Sequence, residues 1–207
     1  MVAEKLDAEY AAELLRRQEA LQAEALQVVE DLDLMDLLRH AGRVEQIGSS
    51  VSGLMVWRDI DLSVLCRDLT LERAFETMRP LLTDPTVIRA EYRDETGSHA
   101  PSELRGDERY YFVLHHETSE GHEWKTDISF WLSDEPRDHL PYLERLAARL
   151  TDETRLSILW IKDVWRHLPT YPYEVGGFDI YDAVLEHGVR TPSGFDVYLR
   201  ERGLPGR

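Results

Sequence analysis

The chain has almost no cysteine, no long apolar run and no excess of basic residues, and each scarcity closes off a class of protein. Cys66 is the only cysteine in 207 residues, so an intrachain disulfide is excluded and a cytoplasmic setting is the expectation. It lies in an apolar stretch, where a thiol serves as a small core residue rather than a nucleophile. No segment reaches the ~20 apolar residues needed to cross a bilayer, so no membrane partner is expected. Residues 1–15 are charged from the fourth position and lack a signal-peptide apolar core. Forty acidic residues against 24 Lys and Arg give a formal charge of −16, which speaks against broad contact with nucleic acid. Such acidity either serves solubility or suits a cationic or neutral small partner. Internal repeats and low-complexity linkers are also missing, and the apolar content is that of a globular protein.

Residues 7–40 contain neither proline nor glycine. Tyr10, Leu14, Leu21, Ala25, Val28, Leu32 and Met35 form a helical apolar stripe, with a bend allowed near Asp31-Leu32-Asp33. That stripe serves either packing on the protein's own sheet or homodimerisation. Strands are predicted over 44–47, 59–66, 87–92, 110–115 and 124–132, the last two joined as an antiparallel hairpin. Thr70 caps a helix carrying Leu71, Ala74, Phe75, Met78 and Leu82, which Pro80 should shorten or kink. From Asp138 onward the pattern is helical, with Thr151 or Asp152 as one cap and Thr191-Pro192 opening the last helix. The expected class is α+β, a mixed sheet of about five strands with flanking helices. The division is expected near residue 135, with 1–135 as the sheet-bearing domain and 136–207 as a helical C-terminal part.

The most informative stretch is Ile47-Gly48-Ser49-Ser50 followed by Asp59-Ile60-Asp61-Leu62. Strand alternation turns Ile60, Leu62 and Val64 one way and Asp59 and Asp61 the other. A glycine turn lets backbone approach a ligand closely, and its N–H groups suit phosphate oxygens. Phosphate binding would then lie beside two carboxylates able to hold a metal. An isolated Asp-X-Asp is otherwise a common solvated strand edge.

These residues resemble the nucleotidyltransferase superfamily, which shares the palm-like fold of DNA polymerase beta. The pattern is an apolar residue, Gly-Ser, a spacer of about ten residues and Asp-apolar-Asp-apolar, matched over residues 44–66. The resemblance implies a third carboxylate on a later strand, and Asp127 in Lys125-Thr126-Asp127-Ile128 supplies it. It implies Asp59, Asp61 and Asp127 as ligands of Mg2+ (or Mn2+), and Gly48, Ser49 and Ser50 as the cradle for a nucleoside triphosphate substrate. Many relatives place a basic residue just after Gly-Ser. Here serines stand there, leaving Arg58, Lys125 and Lys162 as candidates to meet the phosphates.

The implied function is transfer of a nucleoside monophosphate to a hydroxyl, releasing pyrophosphate. Among small bacterial members, the helical C-terminal part is similar to antibiotic adenylyltransferases, which implies a small-molecule acceptor. The alternatives are nucleotidylation of a partner protein in a toxin–antitoxin-like pair, and a non-enzymatic nucleotide-binding module of the same fold. His115, His116 and His122 cluster around the hairpin and are read as exposed hairpin residues, not as a zinc site. Trp160, Trp165, Tyr171 and Tyr173 are read either as helix packing or as a pocket lining.

Overall fold

The computed structural model describes residues 4–102 and 107–207. The chain forms two compact units in space, each assembled from discontinuous stretches. One holds residues 22–52 and 57–144, and the other holds the chain up to Leu21, residues 53–56 and Arg145–Arg207.

The first unit contains the end of α1 (Ala8–Asp31), α2 (Leu34–Leu38), β1 (Arg43–Ile47), α3 (Ser49–Ser52), β2 (Asp59–Leu65), α4 (Leu71–Leu82), β3 (Val87–Glu95), β4 (Arg109–Glu117), β5 (Glu123–Trp131) and the first turns of α5 (His139–Arg149). The expected long N-terminal helix divides at Asp33, which adopts the left-handed conformation (φ 49°) that a short polar side chain tolerates. Thr70 caps α4 by accepting from the Arg73 N–H. Pro80 neither ends nor shortens that helix, which runs on to Leu82. Its missing N–H costs the last turn one hydrogen bond, and buried Met78 and Leu81 hold that turn by packing.

The five strands form one mixed sheet in the order β1-β2-β5-β4-β3. One face is apolar: Ile60, Leu62 and Val64 of β2, Ile128 and Phe130 of β5, and Phe112 and Leu114 of β4 are all 1% exposed or less. Phe75 of α4 packs edge-on against Tyr92 and Phe112 there, with ring centroids at 5.0 and 5.2 Å. The opposite face carries Asp59, Asp61, Lys125, Asp127, Ser129, Tyr111 and Arg109, because alternate residues of one strand and their register partners share a face. Cys66 is fully buried, and burial pushes its thiol up to about 12, so it is an inert core residue.

The histidine reading needs correction. His115 and His116 are buried in β4 rather than exposed, since the hairpin is part of the sheet interior. His115 pairs with Glu123 at 2.7 Å, while His116 Nδ1 is buried without a hydrogen-bond partner. Burial lowers the His116 pKa, against the opposing pull of Asp84 and Asp31. A histidine whose folded pKa lies below its unfolded value contributes stability above the unfolded pKa of about 6.5 and loses it as pH falls through the folded one. Thermal melts should therefore show Tm falling as pH drops below about 6.5, and His116→Leu should flatten that fall. An equally steep profile in the variant would assign the acid sensitivity to other groups.

In the second unit α6 (Asp152–Trp165), α7 (Gly177–Leu185) and α8 (Pro192–Glu201) pack together. Thr151 opens α6 with a capping box closed by Thr154. Trp165 is fully buried against Phe195 at 5.1 Å, and Trp160 and Tyr171 are nearly buried, so these are packing residues. Tyr173 is 86% exposed. Lys162 is buried, donating to the Leu54 carbonyl at 2.7 Å. No helix among the described residues is long and apolar enough to cross a membrane.

Candidate metal centre

The parallel register of β2 and β5 sets Asp61 beside Asp127 and Asp59 beside Lys125. Residues so paired point to the same face, and the intervening Ile60, Leu62, Thr126 and Ile128 point into the core. Asp59, Asp61 and Asp127 each offer a carboxylate oxygen, and these oxygens lie within 4.8 Å of one another. They form the one such acidic, histidine or cysteine group found among the described residues.

The surroundings are only partly solvated. The Asp59 and Asp127 side chains are 14% and 15% exposed. Burial raises the Asp59 pKa first; Lys125 opposes this, Asp127 adds to it, and a hydrogen bond from the Trp57 side chain lowers it again. Asp127 Oδ1 is buried and has no hydrogen-bond partner. Lys125 Nζ donates to Asp127 Oδ2 at 2.6 Å and to Asp59 Oδ1 at 3.2 Å. Burial works against its charge, but the two carboxylates outweigh that and hold its pKa above the ordinary lysine value. Tyr111 is likewise held above the usual phenol value, by burial first and the Asp127 charge second.

The glycine turn sits against this group. Ile47 of β1 pairs with Asp61, and Gly48 follows with φ 76°, a conformation that disfavours any side chain. A Cβ at Gly48 would stand 2.2 Å from Asp61 Oδ2. Ser49 begins α3, and the Ser50 hydroxyl accepts from Gln46 Nε2 at 3.1 Å and donates to the Ile47 carbonyl at 3.3 Å, bracing the turn from inside.

The remaining sequence candidates have other engagements. Arg58 pairs with Glu24 at 2.8 Å and lies 3.0 Å from His122. One row beyond the carboxylates, Arg109 donates to Ser129 at 2.8 Å and Glu95 at 2.5 Å, and lies over the Tyr111 and Trp131 rings. The motif spacing does not announce Trp57, Tyr111 or Arg109. Strand parity does foretell Lys125, since a residue two before Asp127 must share its face.

No family model and no curated protein matches this chain. Solved structures do. A mutant of the Cid1 poly(U) polymerase bound to MgATP superposes with a TM-score of 0.62 at 15% identity, over 88% of this chain and 56% of that one. Cid1 in complex with its short product ApU gives 0.59 at 16% identity, over 86% and 53%. A cytoplasmic RNA terminal U-transferase gives 0.55 at 16% identity, over 85% and 54%. The chain thus spans little more than half the length of these three solved structures. At such identities the likeness is one of fold: with its five-stranded mixed sheet and flanking helices, the chain has the nucleotidyltransferase fold of these structures.

Proposed function

We propose that this chain is a metal-dependent nucleotidyltransferase that moves a nucleoside monophosphate from a nucleoside triphosphate to a hydroxyl of a small molecule. The observation that carries this reading is the convergence of Asp59, Asp61 and Asp127 within 4.8 Å beside the Gly48 turn. The donor set is all carboxylate oxygen, and Asp127 Oδ1 has capacity to spare, which fits a hard divalent cation such as magnesium or manganese. Such a cation supplies charge neutralisation to the triphosphate and holds the attacking and leaving oxygens in line. Asp59, Asp61 and Asp127 would together hold such a cation. Backbone N–H groups at Gly48 and Ser49 meet phosphate oxygens, with Ser50 shaping the turn. In the step itself the acceptor hydroxyl gives up its proton to solvent as its oxygen bonds to the α-phosphorus, the bond from the α-phosphorus to the oxygen bridging it to the β-phosphate breaks, and pyrophosphate departs with that electron pair.

The net charge of −16 supports a small acceptor over a polyanion. An RNA 3′-hydroxyl is the second reading, because the similar solved structures include a poly(U) polymerase and an RNA terminal U-transferase. Both readings are separated by one assay. The protein is incubated with magnesium and each α-labelled nucleoside triphosphate, with either small polyhydroxylated amines or an RNA oligonucleotide. Label on the small molecule supports the first reading, and an extended oligonucleotide supports the second. Triphosphate bound with magnesium but neither hydrolysed nor transferred would make the chain a binding module.

A further inference from the structure

Three of the 24 basic residues are lysines, and one of them, Lys125, sits against two carboxylates of the acidic site. Many other ion pairs among the described residues use arginine, at Arg17, Arg58, Arg109 and Arg149 for example. The two side chains differ in kind: arginine is a rigid planar fork, whereas lysine ends in a compact, strongly hydrated point charge on a flexible stem. Lys125 Nζ is shared between Asp127 at 2.6 Å and Asp59 at 3.2 Å, residues of two neighbouring strands. Its side chain is 38% exposed, so the stem has an open path away from the site.

We propose that Lys125 is an internal counter-ion that holds the acidic triad together and competes with the divalent cation for the same carboxylates. This rests on the reading of Asp59, Asp61 and Asp127 as metal ligands. Like charges this close repel, and a monovalent ammonium offsets part of that repulsion at no cost in diffusing ligand. A divalent cation must then displace the ammonium as well as bind, so Lys125 sets a threshold for metal loading. A second anion entering the site, such as a triphosphate, offers the displaced ammonium a new partner and lowers that threshold.

The probe is Mn2+ alone, titrated without nucleotide by calorimetry and by loss of its free-ion electron paramagnetic resonance signal. Lys125→Met should bind Mn2+ about tenfold more tightly than the wild type, equivalent to about 1.4 kcal/mol. Lys125→Gln, neutral but still a donor, should behave alike, and Lys125→Arg should stay as weak as the wild type. In chelator, Lys125→Met should also melt below the wild type and be raised further by Mn2+. Asp61→Asn serves as the control in each background. If it abolishes Mn2+ binding while Lys125→Met and Lys125→Gln show unchanged or weaker affinity, the metal site stands and the competition is overturned. If Asp61→Asn leaves Mn2+ binding unchanged, the metal reading fails and takes this proposal with it.

Discussion

Asp61→Asn should abolish magnesium-dependent turnover of a nucleoside triphosphate while leaving the fold in place. Asp61 is the middle of the group, paired to Ile47 of β1 on one side and to Asp127 of β5 on the other. Asparagine has nearly the same shape, so the strands keep their register, but it carries no charge for a cation. Removing one group that stabilises developing charge costs about a hundredfold to a thousandfold in rate. The measurements are pyrophosphate release and the magnesium dependence of triphosphate binding by calorimetry. Circular dichroism and Tm serve as the fold check. A variant that keeps both turnover and magnesium dependence would remove Asp61 from the site.

Gly48→Val should be nearly as damaging, for a steric reason rather than an electrostatic one. At φ 76° a β-branched residue is strained by roughly 1–2 kcal/mol from its backbone conformation alone. Its Cβ would also stand 2.2 Å from Asp61 Oδ2, well inside contact distance. Either the turn shifts away from β2 or the Asp61 carboxylate rotates off its position, and each outcome separates the proposed phosphate cradle from the acidic group. The expected result is loss of triphosphate binding together with a lower Tm. Gly48→Ala isolates the Cβ itself and should show the same direction with a smaller loss. Normal binding by Gly48→Ala would mean that the phosphates do not lie on this turn.

How much of this was legible in the sequence depends on the range of the interaction concerned. The alternation in Asp59-Ile60-Asp61-Leu62 was enough to separate an acidic from an apolar face, because a strand's period of two is local. Asp127 came from the same rule applied to β5, guided by the family pattern. What a linear pattern does not carry is which strand lies beside which. The order β1-β2-β5-β4-β3 interposes β5 between β2 and the hairpin's other strand, and only that order makes Asp61 the neighbour of Asp127 and Asp59 the neighbour of Lys125. Arg58 and Lys125 looked like equivalent cations, yet one is bound to Glu24 and the other to two acidic residues of the site. The histidines misled for a similar reason. Adjacency to a turn suggested exposure, but β4 is an interior strand with β3 on one side and β5 on the other. Pro80 does not shorten α4, because packing by Met78 and Leu81 holds its last turn, which the linear pattern does not show.

Among the described strands, β2 and β5 make the one parallel pair. The β4–β5 hairpin closes across a short turn at Gly121 and can assemble on a timescale of about 1–10 μs from local contacts. The β2–β5 seam instead joins Asp59 to Lys125 across most of the intervening chain, and so bears a large loop-closure cost. The acidic group therefore comes into being only when β5 has paired with β2. During synthesis, a nascent chain that has not yet emerged past β5 has two of its carboxylates and no centre. A divalent ion bound there, as proposed, would distinguish a sheet with the seam closed from one without it, and its binding energy would accrue to the native state alone, slowing the opening of the seam without hastening the hairpin that precedes it.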